Sequence, residues 1–128
     1  MLTKVKHIGF AVNSIDETME RWSKAYGAVE IRERKTFAEI GQTSTLVAIG
    51  ETHFELMEPY GEEGTIPKFL RTHGEGFHHL SWLSSDLEAD TEMLEAAGVK
   101  VLGKGQPVIF THPKTTDGVV FEITEMDD

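Results

Sequence analysis

The sequence predicts an α+β fold built from two tandem βαβββ modules, roughly residues 1–60 and 75–128, forming a single domain over residues 1–128. Three observations predict it. The hydrophobic pattern runs strand, helix and three strands, and returns to that order after a polar segment at 61–74. "HIGFAVNSID" lies over "HLSWLSSDLE", putting His7 on His79, and "HFELMEP" lies over "VFEITEM", putting Glu55 on Glu122. "AYGAVEI" lies over "AAGVKVL", so glycine, histidine and acidic positions agree together.

Taken in order, "VKHIGFAV" (5–12) reads as a strand. "SIDETMERWSKAYG" (14–27) reads as a helix with Ser14 or Asp16 as N-cap and Gly27 as its stop. "AVEIRER", "TSTLVAIG" and "THFELMEP" follow as three strands separated by turn residues. The polar segment carries a short helix around "IPKFLRTH". "FHHLSWL" is the strand that opens the second module, and "DLEADTEMLEAAG" (86–98) its helix, again stopped by glycine. "VKVL", "PVIFTH" and "GVVFEIT" close it as three strands.

Strand parity sorts the candidate functional residues, because successive side chains point to opposite faces. Ile8, Phe10 and Val12 share the face that packs on the following helix, leaving His7 with Gly9 and Ala11 on the other. In "HHLSWL", Leu80 and Trp82 take the helix side with His78, which reads as a packed core histidine, and His79 is left opposite with Ser81. Glu55 and Glu122 likewise fall opposite Phe54 and Leu56, and opposite Phe121 and Ile123. Glu58 and Glu125 have the other parity, near strand ends, and are the weaker candidates.

Composition narrows the function. The chain of 128 residues is 39% apolar, enough for one core, and has no cysteine, which excludes disulfides, thiolate metal sites and thiol nucleophiles. A net charge of −10 argues against nucleic-acid or anionic-membrane partners, which require a basic face. The N-terminal stretch is too short and too lysine-broken for a signal peptide and no later stretch is long enough to span a membrane, so the expected location is cytoplasmic.

A pseudo-twofold arrangement of two such modules would bring one histidine and one glutamate from each together. Two neutral imidazoles and two carboxylates suit one divalent ion, Co, Ni, Zn, Mn or Fe, with coordination positions left open. The expected ligands are His7, Glu55, His79 and Glu122.

The quoted segments also resemble known proteins. "KHIGFAV", "FELMEPYGEEGTIPKFL", "GEGFHHLSW" and "FTHPKTTDGVVFEI" identify the chain as a member of the vicinal oxygen chelate (VOC) superfamily, the glyoxalase-like proteins of paired βαβββ modules. Within it they are most similar to the methylmalonyl-CoA epimerases, the run 55–70 and "HPKTTDGVVFE" being the more specific segments. The resemblance implies the same four ligands, with Glu122 also serving as a catalytic base. It implies an isomerase that abstracts a proton alpha to a thioester carbonyl, an acyl-CoA substrate and a homodimer.

Two departures bear on the substrate. The second acid that some epimerases carry has no match here, where Thr43 or Ser44 stands and Glu39 is offset, and the turn at 102–108 is shorter than theirs. Ser44 and Lys114 are candidate substrate-binding residues, and Lys68, Arg71 and Lys104 are further cations that could meet coenzyme A. Bacterial-type glyoxalase I also uses two His and two Glu. A glyoxalase I-type lyase, a dioxygenase or a non-catalytic small-molecule binder on the same frame therefore stays open.

Overall fold

The structure, a computed structural model, describes residues 1–128. Its elements run β1 (Leu2–Ala11), α1 (Ile15–Tyr26), β2 (Val29–Glu30), β3 (Lys35–Phe37), β4 (Gln42–Ile49), β5 (Thr52–Pro59), α2 (Thr65–His73), β6 (Gly76–Ser84), α3 (Leu87–Ala96), β7 (Val101–Leu102), β8 (Val108–Thr111) and β9 (Phe121–Thr124). One-turn 3-10 segments precede β4, at Ala38–Ile40, and β9, at Pro113–Thr115. The α+β class is the one expected. The chain packs as two compact units, Gly9–His78 and Met1–Ile8 with His79–Asp128, and the boundary falls between the adjacent histidines His78 and His79.

In the Gly9–His78 unit, β4 pairs antiparallel with β5 from Gln42↔Pro59 to Ile49↔Thr52, and the short β2 and β3 both pair with β4. Its core gathers Val12, Ile15, Ala28, Val47 and Leu56, with Phe10, Met19, Trp22 and Ile49 packed on them. Phe10 meets Trp22 edge-to-face at 5.6 Å, which confirms the parity that sends Phe10 toward α1. The strand expected over "AVEIRER" stops at Glu30. The pairing with β4 then shifts by two residues, from Glu30↔Val47 to Lys35↔Ser44, so the chain leaves the ladder between them, and there the Thr45 hydroxyl lies 2.8 Å from both the Glu30 carboxylate and the Arg32 carbonyl.

In the other unit the strands lie in the order β1, β6, β9, β8, β7. β6 and β9 are parallel with Ser81↔Glu122 in register, and β9 is antiparallel to β8 with Phe110↔Glu122. Ile109 and Ile123 are almost fully buried. "GVVFEIT" contributes a strand only from Phe121, because 113–118 is folded into a turn in which the Gly118 N–H donates to the Pro113 carbonyl at 2.8 Å.

The repeat extends to the helix caps. Ser14 accepts the Glu17 N–H at the start of α1, and Asp86 accepts the Ala89 N–H at the start of α3. Glu58 accepts the Ile15 N–H at 2.7 Å, and Glu125 accepts the Leu87 N–H at 2.9 Å. Each of these carboxylates follows a candidate ligand by three residues, Glu55 or Glu122, and satisfies the first orphan donor of a helix in its own unit. The placement also suits the positive end of the helix dipole.

Candidate metal centre

Three of the candidate ligands converge in the Met1–Ile8 and His79–Asp128 unit. β1 carries His7, its neighbour β6 carries His79, and the parallel register Ser81↔Glu122 sets Glu122 on the face shared by His79 and Ser81. The ligating atoms of His7, His79 and Glu122 all lie within 4.8 Å of one another. His7 Nε2 is 3.3 Å from His79 Nε2 and 4.0 Å from Glu122 Oε1, and His79 Nε2 is 3.6 Å from Glu122 Oε2. Both histidines are buried, and the rings meet edge-on.

The donor set fits a divalent ion. Two ring nitrogens each about 2.0–2.1 Å from a tetrahedral centre stand roughly 3.3–3.4 Å apart, and the observed Nε2···Nε2 separation is 3.3 Å. Mixed imidazole and carboxylate ligation suits the first-row divalent ions expected above. Ser81 Oγ donates to Glu122 Oε1 at 3.1 Å and so fixes the carboxylate that faces the rings.

Glu55 stands on β5 in the other unit, half-buried, with Oε2 3.9 Å from Arg32 Nη2. Ser44 is buried on β4, between Lys35 of β3 and Met57 of β5. Lys114 is exposed on the 3-10 turn before β9, where its N–H donates to His112 Nδ1. Of the other cations, Lys104 pairs with Glu95 at 2.7 Å, whereas Lys68 and Arg71 line one open groove beside α2. No helix is long and apolar enough to cross a membrane.

One residue at the centre was not foreseen. The Asp128 carboxylate lies 3.1 and 3.2 Å from His7 Nδ1, although 121 positions separate the two residues. It has no counterpart in the internal repeat and no strand parity, so no sequence signal pointed to it.

The sequence profile of the Glyoxalase/Bleomycin resistance protein/Dioxygenase superfamily matches residues 6–114. The chain belongs to this superfamily. Among its members, the mitochondrial methylmalonyl-CoA epimerase of Dictyostelium discoideum is 29% identical over 130 residues, covering 95% of this chain and 78% of that protein. The crystal structure of methylmalonyl-CoA epimerase from Mycobacterium tuberculosis superposes with a TM-score of 0.83 at 28% identity, over 95% of this chain and 87% of that one. A variant of the Streptomyces coelicolor methylmalonyl-CoA epimerase, in complex with 2-nitronate-propionyl-CoA, gives a TM-score of 0.82 at 29% identity over 96% of each chain.

His78 belongs to the Gly9–His78 unit and packs edge-to-face on Phe69 of α2 at 4.8 Å. Burial, helped by the nearby charge of His73, pushes its pKa below the ordinary imidazole value. The unfolded chain then takes up a proton at a pH where folded His78 does not. The contribution of His78 to stability is full above about pH 6.5 and is lost as the pH falls from there through the depressed folded value. His78→Phe, which keeps an aromatic ring against Phe69, is expected to flatten stability against pH in that window. Denaturant midpoints measured across it check this, and an unchanged slope would mean that His78 protonates as freely when folded as when unfolded.

Proposed function

We propose that the chain is an isomerase of the methylmalonyl-CoA epimerase type. It removes and returns the proton on the carbon between the thioester carbonyl and the carboxylate of an acyl-CoA, at one divalent ion held by His7, Glu55, His79 and Glu122. The observation that carries this reading is the convergence of two buried imidazoles and Glu122, in a chain similar along nearly its whole length to methylmalonyl-CoA epimerases. A bound divalent ion supplies the positive charge that offsets the electron density left when a C–H proton departs beside a carbonyl. In this reading Glu122 holds and returns the proton. Its Oε1 accepts from Ser81, which orients the carboxylate and leaves Oε2 for proton transfer.

Inversion also needs a proton donor on the other face of the planar intermediate. The acid that some epimerases carry for this has no match here, where Thr43 or Ser44 stands, and Ser44 and Lys114 belong to the proposal as substrate contacts. Lys114 provides an exposed ammonium for the phosphates of coenzyme A. A cytoplasmic homodimer is part of the same proposal.

The test follows the proton. Metal-loaded protein incubated with (2R)- or (2S)-methylmalonyl-CoA in heavy water is expected to exchange the C2 proton for deuterium and to interconvert the epimers. Glu122→Gln, which keeps a ligating oxygen but accepts no proton, is expected to slow exchange by about 10²–10⁴-fold. Exchange without interconversion would identify a chain that kept Glu122 but lacks the opposing acid. No exchange by protein that holds stoichiometric metal would sink the proposal. Conversion of the methylglyoxal–glutathione hemithioacetal in its place would make the chain a glyoxalase-type lyase.

A further inference from the structure

We infer that Asp128 is a positioning residue of the metal centre, holding His7 in the tautomer and orientation that aim its Nε2 lone pair at the ion. This rests on the metal reading of His7, His79 and Glu122. The carboxylate lies against one edge of the ring, with Oδ2 3.1 Å and Oδ1 3.2 Å from Nδ1. Asp128 as a whole residue is exposed, yet its side chain is only 2% accessible. The main chain lies at the surface, and the carboxylate is turned inward against His7.

An ionised carboxylate accepts hydrogen bonds and gives none, so the ring proton sits on Nδ1. Nε2 is then left without a proton, on the edge that faces His79 at 3.3 Å and Glu122 at 4.0 Å. With the opposite tautomer the N–H would point into the ligand cluster, and an ion could bind only after the proton had moved. The Lys6 ammonium, 3.6 Å from Asp128 Oδ1 and itself largely covered, pairs with the same carboxylate. Asp127 makes an instructive contrast. It pairs with Lys4 at 2.9 Å in a half-exposed surface contact and does not meet the histidine.

The prediction has two readouts. In metal-free protein under mildly alkaline conditions, nitrogen-15 spectra of the histidine rings are expected to show His7 protonated on Nδ1. In Asp128→Ala the signal should shift toward Nε2 protonation. Competition titration with zinc or cobalt is expected to show affinity weakened by about 10–100-fold in Asp128→Ala. Asp128→Asn, whose amide oxygen still accepts from Nδ1, should recover part of that loss, and Asp127→Ala should bind as the wild type does. Wild-type tautomer and affinity in Asp128→Ala would overturn the inference. Wild-type protein that binds no ion, while His7 keeps an Asp128-dependent tautomer, would overturn the metal reading and the positioning role with it. That failure is distinguishable from the first, because the hydrogen bond would survive it.

Discussion

His79→Ala is expected to abolish tight binding of a divalent ion, while His78→Ala retains it. The two residues are neighbours in sequence and similar in chemistry, so the contrast isolates direction. His79 Nε2 lies 3.3 Å from His7 Nε2 and 3.6 Å from Glu122 Oε2, and its removal takes a donor out of a cluster that offers three within its own unit. The loss should exceed the roughly 10–100-fold that removal of a supporting partner costs. His78 packs on Phe69, and its truncation forfeits an edge-to-face contact worth about 0.5–1.5 kcal/mol beyond the buried area. Elemental analysis after reloading with cobalt or zinc, alongside thermal unfolding of both variants, gives the result. Metal lost from folded His78→Ala and kept by His79→Ala would show that the strand faces are assigned the wrong way round.

Gly64→Ala is expected to destabilise the protein by on the order of 3–5 kcal/mol, the sum of a strained backbone and an unrelieved overlap. Gly64 has φ +116°, and a Cβ built there would overlap the Ile40 carbonyl oxygen, with the carbonyl carbon only 2.6 Å away. The contact is reciprocal. A Cβ at Gly41, φ +69°, would overlap the Glu63 carbonyl oxygen. Two backbone segments thus approach where neither has a side chain, and the Tyr60 N–H donates to the Gly41 carbonyl at 2.8 Å beside them. Backbone on both sides leaves no flexible group to move aside. Gly61→Ala serves as the control, since Gly61 has φ +79° with open space around the added carbon. It should cost only the left-handed strain, about 1–2 kcal/mol. Chemical denaturation of the two variants separates the terms, and equal costs would mean that the close approach is absent.

The histidine and glutamate faces were legible because they depend on a local rule. A strand alternates its side chains with period two wherever it lies, so Leu80 and Trp82 assigned His79 to the face opposite theirs before any fold was known. The repeat was legible for a similar reason, since two segments with the same pattern of apolar, glycine and acidic positions fold into similar local structure. It extended further than the pattern showed. Glu58 and Glu125, the weaker candidates by parity, accept the N–H groups that open equivalent helices, because the same parity turns them away from the face of Glu55 and Glu122.

Other features lay beyond the sequence because side chains far apart in the chain decide them. β2 ends early because its pairing with β4 shifts by two residues before Lys35, a shift that the pattern of "AVEIRER" does not encode. Nothing in the residues around Gly41 and Gly64 shows that the backbone sets each against the other's neighbour. Asp128 is the fullest case. By itself the sequence determined which face of its strand presents His7, His79 and Glu122, because alternation and repetition are written into consecutive residues. Only the tertiary structure decided that His7, His79 and Glu122 close to within 4.8 Å and that a carboxylate 121 positions from His7 supports it from behind, because such convergence depends on packing, which no local period encodes.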